Sequence, residues 1–515
     1  MAEMGFWNFA QADPEKLALV DPRGREWTRG ELFGEANRIA HGLRAQGLER
    51  GDCIAVVLEN CAEMFQLYLA VTQIGMYMTP INNHLTATEI AYIVQDSGAK
   101  IFIGSACFAD ECRTARKEAN FPSEKSFSLG KVEGFSSIDA LKERQSAELP
   151  EDRSAGQVMN YTSGTTGKPK GVRRALPEIS PDIMATLMSG FLGMFGIAPE
   201  DDNVHICGSP LYHTAVLVFS SNALHVGHAV VLQDKWIPEE MLMLIEKYKV
   251  THSHMVPTQF HRLLKLDESV RDRYDMSSLR AMIHAAAPCP IETKWRMLEW
   301  WGDVIYEYYA ATEGGGTLVT PQEWRNHPGT VGKPWVNSDI KIYDEDENEL
   351  GANEVGTVYM LLGNAEFEYK DAKKKTKDNR IGNYFTVGDV GELNDDGYLF
   401  LRDRKLDMII SGGANIYPAE IEAELIQHPK VADVAVFGIP NDDWGEEIKA
   451  VVEPVDGVSG GDDLTAEILA WCGGRLAKMK TPRSIDYAAT LPRDPNGKLY
   501  KRKLRDPYWE GRAQI

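Results

Sequence analysis

Residues 53–58, Cys-Ile-Ala-Val-Val-Leu, form an unbroken apolar run behind a Gly51-Asp52 turn. A strand with one wet face alternates apolar and polar residues, so a continuous run fits a strand covered on both faces. The next stretch has helical period. Phe65, Leu67, Tyr68, Ala70, Val71 and Ile74 fall on one face, which ends before Gly75. The pattern recurs: 101–104 and 230–232 read as strands, followed by a helix over 238–249 and a strand over 250–255. Strands alternating with amphipathic helices commit a chain to an α/β sheet with covered faces.

The composition changes near residue 403. Beyond it come a short helix over 418–426, with Ile421 and Leu425 four apart, strands over 431–437 and 448–453, and a helix over 464–475. That is about 110 residues of compact α+β structure, the size of a domain. The expected organisation is a large α/β domain over 1–403, a hinge at 404–407 and a small α+β domain over 408–515.

A length of 515 residues allows a large core and more than one domain. The net charge of −21 argues against nucleic acid as a partner, because a binder would show a basic footprint. Residues 1–13 lack a basic segment followed by an apolar one, and no apolar run nears the roughly 20 residues of a membrane span. Seven cysteines without a CxxC pair argue against a disulfide framework or a zinc site. A reducing, cytoplasmic compartment is expected. His252 and His254 share a strand face without a third ligand, and Trp300-Trp301 reads as packing.

The chemistry starts at residues 161–172, Tyr-Thr-Ser-Gly-Thr-Thr-Gly-Lys-Pro-Lys-Gly-Val. Gly164 and Gly167 let backbone N–H groups approach an anion. Thr162, Ser163, Thr165 and Thr166 add hydroxyls, and Lys168 and Lys170 add positive charge. The implied ligand is a polyphosphate. A Walker loop needs four residues between its glycines and a hydroxyl residue after its lysine. Here the glycines lie three apart and Pro169 follows Lys168.

This loop resembles the signature of the adenylate-forming superfamily, the acyl-CoA synthetases and their relatives, and its companions follow in order. Ala285-Ala286-Ala287-Pro288 is similar to the family's adenine-pocket segment. Tyr309-Ala-Ala-Thr312-Glu313 resembles its Tyr-Gly-x-Thr-Glu motif, with Ala310 in place of glycine. The resemblance implies that Tyr309 stacks on adenine, Thr312 meets phosphate and Glu313 holds Mg²⁺. Asp389 would bind the ribose hydroxyls with Arg404, although Val387 stands where the family has threonine. Residues 411–422, with Gly412 and Gly413, are similar to the loop that forms the CoA tunnel. Lys498 matches the lysine that bridges the substrate carboxylate and the ATP phosphate. His213, Val218, Gly314 and Gly315 are expected to border the acyl pocket. Lys405-Leu406 would be the pivot, with Leu406 replacing the usual Asp or Lys.

The resemblance implies an ATP-dependent acyl-CoA ligase using ATP, Mg²⁺ and CoA on a fatty, steroid side-chain or other bulky apolar acid. Two alternatives stay open: loading of a separate carrier protein, and a ligand-binding member of the fold without catalysis. A homodimer is left open. Residues 370–380 carry six lysines or arginines, which suit either a solvated loop or a landing site for CoA.

Overall fold

The computed structural model describes residues 4–162, 169–199, 202–311, 315–361, 368–369, 379–404, 407–493 and 499–510. The chain is mixed α/β and divides into two compact units. The first comprises Met1–Met255, Leu266–Ile283 and Ala365–Asp378; the second comprises Val256–Lys265, His284–Asn364 and Asn379–Ile515.

In the first unit a six-stranded sheet runs Ser136–Ser137, Ser126–Leu129, Ala99–Ser105, Cys53–Val56, Tyr77–Pro80, Gln157–Val158, every pair parallel. The apolar run at 53 is its centre. All four residues of Cys53–Val56 are buried, as a strand covered on both faces must be. The helix expected behind it is Ala62–Gln73. A second sheet carries His252–Met255, Val204–Cys207, Ala229–Leu232 and Leu17–Val20 in parallel, edged by antiparallel Glu26–Thr28. Phe65, Leu69, Ile39, Leu43, Leu217 and Val230 belong to one buried cluster of this unit.

Helix boundaries follow local chemistry. Thr28 and Thr86 each close a capping box with a glutamate three residues on, so Arg29–Ala45 and Ala87–Asp96 begin there. Pro238 opens Pro238–Tyr248, and Lys249, in a left-handed conformation, ends it.

In the second unit Ile340–Tyr343, Gly356–Leu361, Asp389–Leu393 and Leu399–Arg404 form an antiparallel sheet, extended by Tyr384–Phe385 and Arg380–Ile381. Residues beyond 407 build the α+β portion. The hairpin of Val431–Asn441 and Gly445–Pro454 dominates it, flanked by Ile409–Ser411 and by parallel Ser484–Tyr487. Pro418–Leu425 and Asp462–Cys472 cover this sheet, with Ile421, Leu425, Leu464 and Ile468 in its core. Among the described residues no helix is long and apolar enough to cross a membrane.

Candidate active site

The expected phosphate loop joins two paired strands of the first unit. Asn160–Thr162 runs antiparallel to Lys170–Arg173, with Thr162 opposite Lys170 and Tyr161 opposite Gly171. The stem is anchored from below. Tyr161 donates its hydroxyl to Asp96 Oδ2 at 2.6 Å, and Tyr92 donates to the Pro169 carbonyl at 3.2 Å. Burial and the Asp96 carboxylate push the Tyr161 pKa up, so the hydroxyl stays a donor. Ser163, Gly164, Thr165, Thr166, Gly167 and Lys168 lie outside the described residues, as does the side chain of Thr162.

His213 is the N-cap residue of the helix Thr214–His225, and its ring lies 4.5 Å from that of Tyr212. Val218, on the same helix, is half-buried. Its neighbours Leu217 and Phe219 are enclosed, Phe219 against Phe191, Phe195 and His254. Of these three apolar residues Val218 alone keeps surface for a ligand.

The second unit brings together residues far apart in sequence. The turn 285–288 follows His284, and Ala286 holds φ 73°. A non-glycine residue in that region costs about 1–2 kcal/mol, so its surroundings must fix it. Ala286, Ala287 and Pro288 therefore present backbone in a defined, strained shape. Tyr309, on Ile305–Ala310, donates its hydroxyl to Asp389 Oδ2 at 2.6 Å across 80 residues of sequence. Asp389 is 8 % exposed and directly opposes Arg404 in the antiparallel pair of Asp389–Leu393 and Leu399–Arg404. Tyr309 and Asp389 thus meet, and the backbone register sets Arg404 opposite Asp389. The side chain of Arg404 is outside the described residues, as are Thr312, Glu313, Gly314, Lys405, Leu406, Lys498 and 370–378.

Gly315 has φ 75°, and a Cβ there would lie 2.7 Å from the Leu361 carbonyl oxygen. Gly315→Leu therefore acts on the backbone before it can select among acids. Activity should fall in parallel for every acid, and the melting temperature should fall with it. A shift towards slimmer acids at unchanged melting temperature would return Gly315 to the role of a simple pocket wall.

Gly412 and Gly413 also have positive φ, 58° and 80°. Gly412 donates its N–H to the Trp444 carbonyl at 2.8 Å, and a Cβ on Gly412 would strike the Trp444 ring at 2.6 Å. The Trp444 indole is 48 % exposed, with the Arg483 guanidinium 5.1 Å from its ring centre. Sequence reading missed this pair. Its signal is a tryptophan in the polar turn Asn-Asp-Asp-Trp-Gly, where an aromatic ring has no core to join.

Asp403 was missed as well. It immediately precedes Arg404, and its Oδ2 accepts the Ala419 N–H at 2.9 Å. Tyr417, the N-cap residue of Pro418–Leu425, makes no side-chain cap, so Asp403 supplies one from outside the helix. Nearby Glu422 accepts the Val436 N–H at 2.7 Å and pairs with Lys501 at 2.9 Å.

The chain as a whole has known counterparts. Residues 6–362 match the AMP-binding enzyme family, and residues 420–498 match the AMP-binding enzyme C-terminal domain. The long-chain-fatty-acid–CoA ligase FadD13 of Mycobacterium tuberculosis is 30 % identical over 511 residues, covering 97 % of each chain. The fatty acid–[acyl-carrier-protein] ligase ScoC of Streptomyces coeruleorubidus is 29 % identical, over 98 % of this chain and 96 % of its own. Among solved structures, the o-succinylbenzoate CoA synthetase MenE of Bacillus subtilis, in complex with the acyl-adenylate OSB-AMP, superposes with a TM-score of 0.80. It is 26 % identical over 98 % of this chain and 99 % of that one. On these grounds the chain belongs to the family of AMP-binding, adenylate-forming enzymes.

Proposed function

We propose that this protein activates a carboxylic acid with ATP and transfers the acyl group to the thiol of CoA. The observation that carries the reading is the Tyr309–Asp389 pair with Arg404 across the neighbouring strand, a ready receptor for a nucleoside. The tyrosine ring offers a face to a base, and the carboxylate can accept both ribose hydroxyls.

A carboxylate is a poor acyl donor because oxide would have to leave. Activation replaces that leaving group. A carboxylate oxygen attacks the α-phosphorus of ATP, the bond to the bridging oxygen breaks, and pyrophosphate departs. Charge grows on the phosphoryl oxygens, so positioning and electrostatics govern the rate. Lys498 would neutralise that charge, and the loop from Thr162 to Lys170 would hold the β- and γ-phosphates. In the second step the CoA sulfur attacks the acyl carbon, the C–O bond to phosphate breaks, AMP leaves, and the thiol proton passes to solvent.

Among the described residues no three His, Cys, Asp or Glu side chains converge as a metal cage. Magnesium is commonly held by one or two carboxylates together with substrate phosphates, and Glu313 as a single protein carboxylate suits that pattern. Bound there it would supply positive charge to the phosphates.

Lys498 is wanted only in the first step and the Gly412-Gly413 loop only in the second. The proposed division into 1–403, a hinge at 404–407 and 408–515 lets a rotation about Lys405-Leu406 exchange them. The Asp403 cap on Pro418–Leu425 spans that hinge and would have to break. For the acid, half-buried Val218 and His213 favour a bulky apolar group.

Asp389→Ala tests the nucleotide assignment. Loss of two charge-assisted bonds should weaken AMP binding by roughly 2–4 kcal/mol, read by calorimetry. Unchanged AMP affinity would remove Asp389 from the ribose site.

A further inference from the structure

Two walls of the proposed nucleotide pocket converge on one oxygen atom. Glu307 lies on Ile305–Ala310, two residues before Tyr309 and on the same strand face, and is 6 % exposed. Its Oε2 accepts a hydrogen bond from Lys294 Nζ at 2.5 Å and lies 3.4 Å from His284 Nε2. Lys294 and His284 are completely buried.

The positions of these residues give the cluster its meaning. His284 is the last residue before the turn 285–288. Lys294 lies in the first turns of Ile291–Trp301, the helix that follows it. The residue before the turn therefore lies against the carboxylate, the helix after the turn is hydrogen-bonded to it through Lys294, and the strand that bears the carboxylate continues to Tyr309. The turn needs such holding, because Ala286 sits at φ 73°.

Stability alone does not account for the cluster. Enclosing a lysine and a glutamate costs desolvation that their attraction often fails to recover, and apolar side chains of similar volume do as well or better. Burial pushes the Glu307 pKa up while Lys294 pulls it down. The Lys294 ammonium also lies 4.7 Å from the ring centre of Trp324, itself buried. What a directed ion pair adds over an apolar plug is geometric register.

We propose that Glu307 is a positioning residue for the nucleotide: through Lys294 and His284 it sets the turn 285–288 against Tyr309, so that both walls address the same base. The proposal rests on the nucleotide reading of those two walls.

The test uses the full-length enzyme and AMP as probe. Lys294→Met with Glu307→Leu removes the tie and keeps apolar volume. Glu307→Asp keeps the charge pair and withdraws the carboxylate by one methylene. The double variant should bind AMP about tenfold more weakly and show a KM for ATP raised by a similar factor, because small displacements of positioning groups carry penalties of this size. In Glu307→Asp both changes should be about fivefold. In both, kcat at saturating ATP and the KM values for acid and CoA should stay within about threefold, a split that a loosened fold would not produce. Wild-type AMP affinity in either folded variant overturns the proposal, as does a loss confined to kcat. Should the double variant not fold, Glu307→Asp decides alone. If the wild-type enzyme itself binds neither ATP nor AMP, the nucleotide reading fails, and that outcome is distinct from a variant that binds as well as wild type.

Discussion

Replacing Lys498 with alanine is expected to lower acyl-AMP formation about 10²–10³-fold while leaving ATP binding nearly unchanged. The magnitude is that of removing one preorganised donor from a developing oxyanion. The split between rate and affinity follows because the lysine is proposed to act on charge that appears only as the α-phosphorus is attacked. Acid-dependent exchange of labelled pyrophosphate into ATP isolates this half-reaction from transfer to CoA. Exchange at the wild-type rate would exclude Lys498 from adenylation. Loss of ATP affinity together with exchange would make it a ground-state phosphate ligand.

The second large effect concerns acid. His205, His225, His252 and His254 of the first unit are all buried. Burial holds their pKa values down, to about 3 for His205, about 4 for His225 and His254, and well below the usual value for His252. The rings of His205 and His252 are 4.9 Å apart, so protonating one opposes the other. Unfolded histidine takes a proton near pH 6.5. Between there and pH 4 the unfolded chain binds more protons than the folded one, so stability falls as pH falls. Each fully buried histidine contributes up to about 1.4 kcal/mol per pH unit. Glu307, Glu422 and Glu446 of the second unit, with pKa values raised by burial, work in the opposite direction. The histidines still dominate the first unit, and from pH 7 to pH 5 several kcal/mol should be lost, comparable to a domain's whole stability. Urea melts across this range should show the midpoint dropping steeply below pH 6.5. A flat profile would mean that these imidazoles are hydrated in solution. His254→Phe, which keeps the stack on Phe219, should reduce the slope.

Much of the secondary structure was legible because it rests on short-range pattern. The apolar run at 53 and the helix Pro418–Leu425 lie where period and punctuation place them. Ends were less legible. The helix expected over 238–249 stops at Tyr248 because Lys249 turns left-handed, which its side chain does not announce. The family was legible from motif order, since each motif alone is ordinary and the series is not.

What escaped depends on long-range pairing. The hydrogen bond from Tyr309 to Asp389 needs two strands 80 residues apart to meet. His252 and His254 were read as one strand face, and the structure adds His205 from Val204–Cys207 and His228 from the loop before Ala229–Leu232 beside His252. The positive φ of Gly315 cannot be told from sequence, because glycine serves both as a small pocket wall and as a left-handed turn residue. Lys294 and Glu307 look like ordinary charged surface residues until burial shows otherwise.

The central claim is acid-dependent, CoA-consuming cleavage of ATP to AMP. Purified enzyme with ATP and Mg²⁺ should be supplied with a panel of acids differing in length and bulk, with and without CoA, and its nucleotides and free thiol counted. AMP and pyrophosphate should appear in equal amounts, free thiol should be lost one for one with AMP, and at least one bulky apolar acid should be turned over. Release of ADP and phosphate, or AMP formed at the same rate with and without acid, would contradict it.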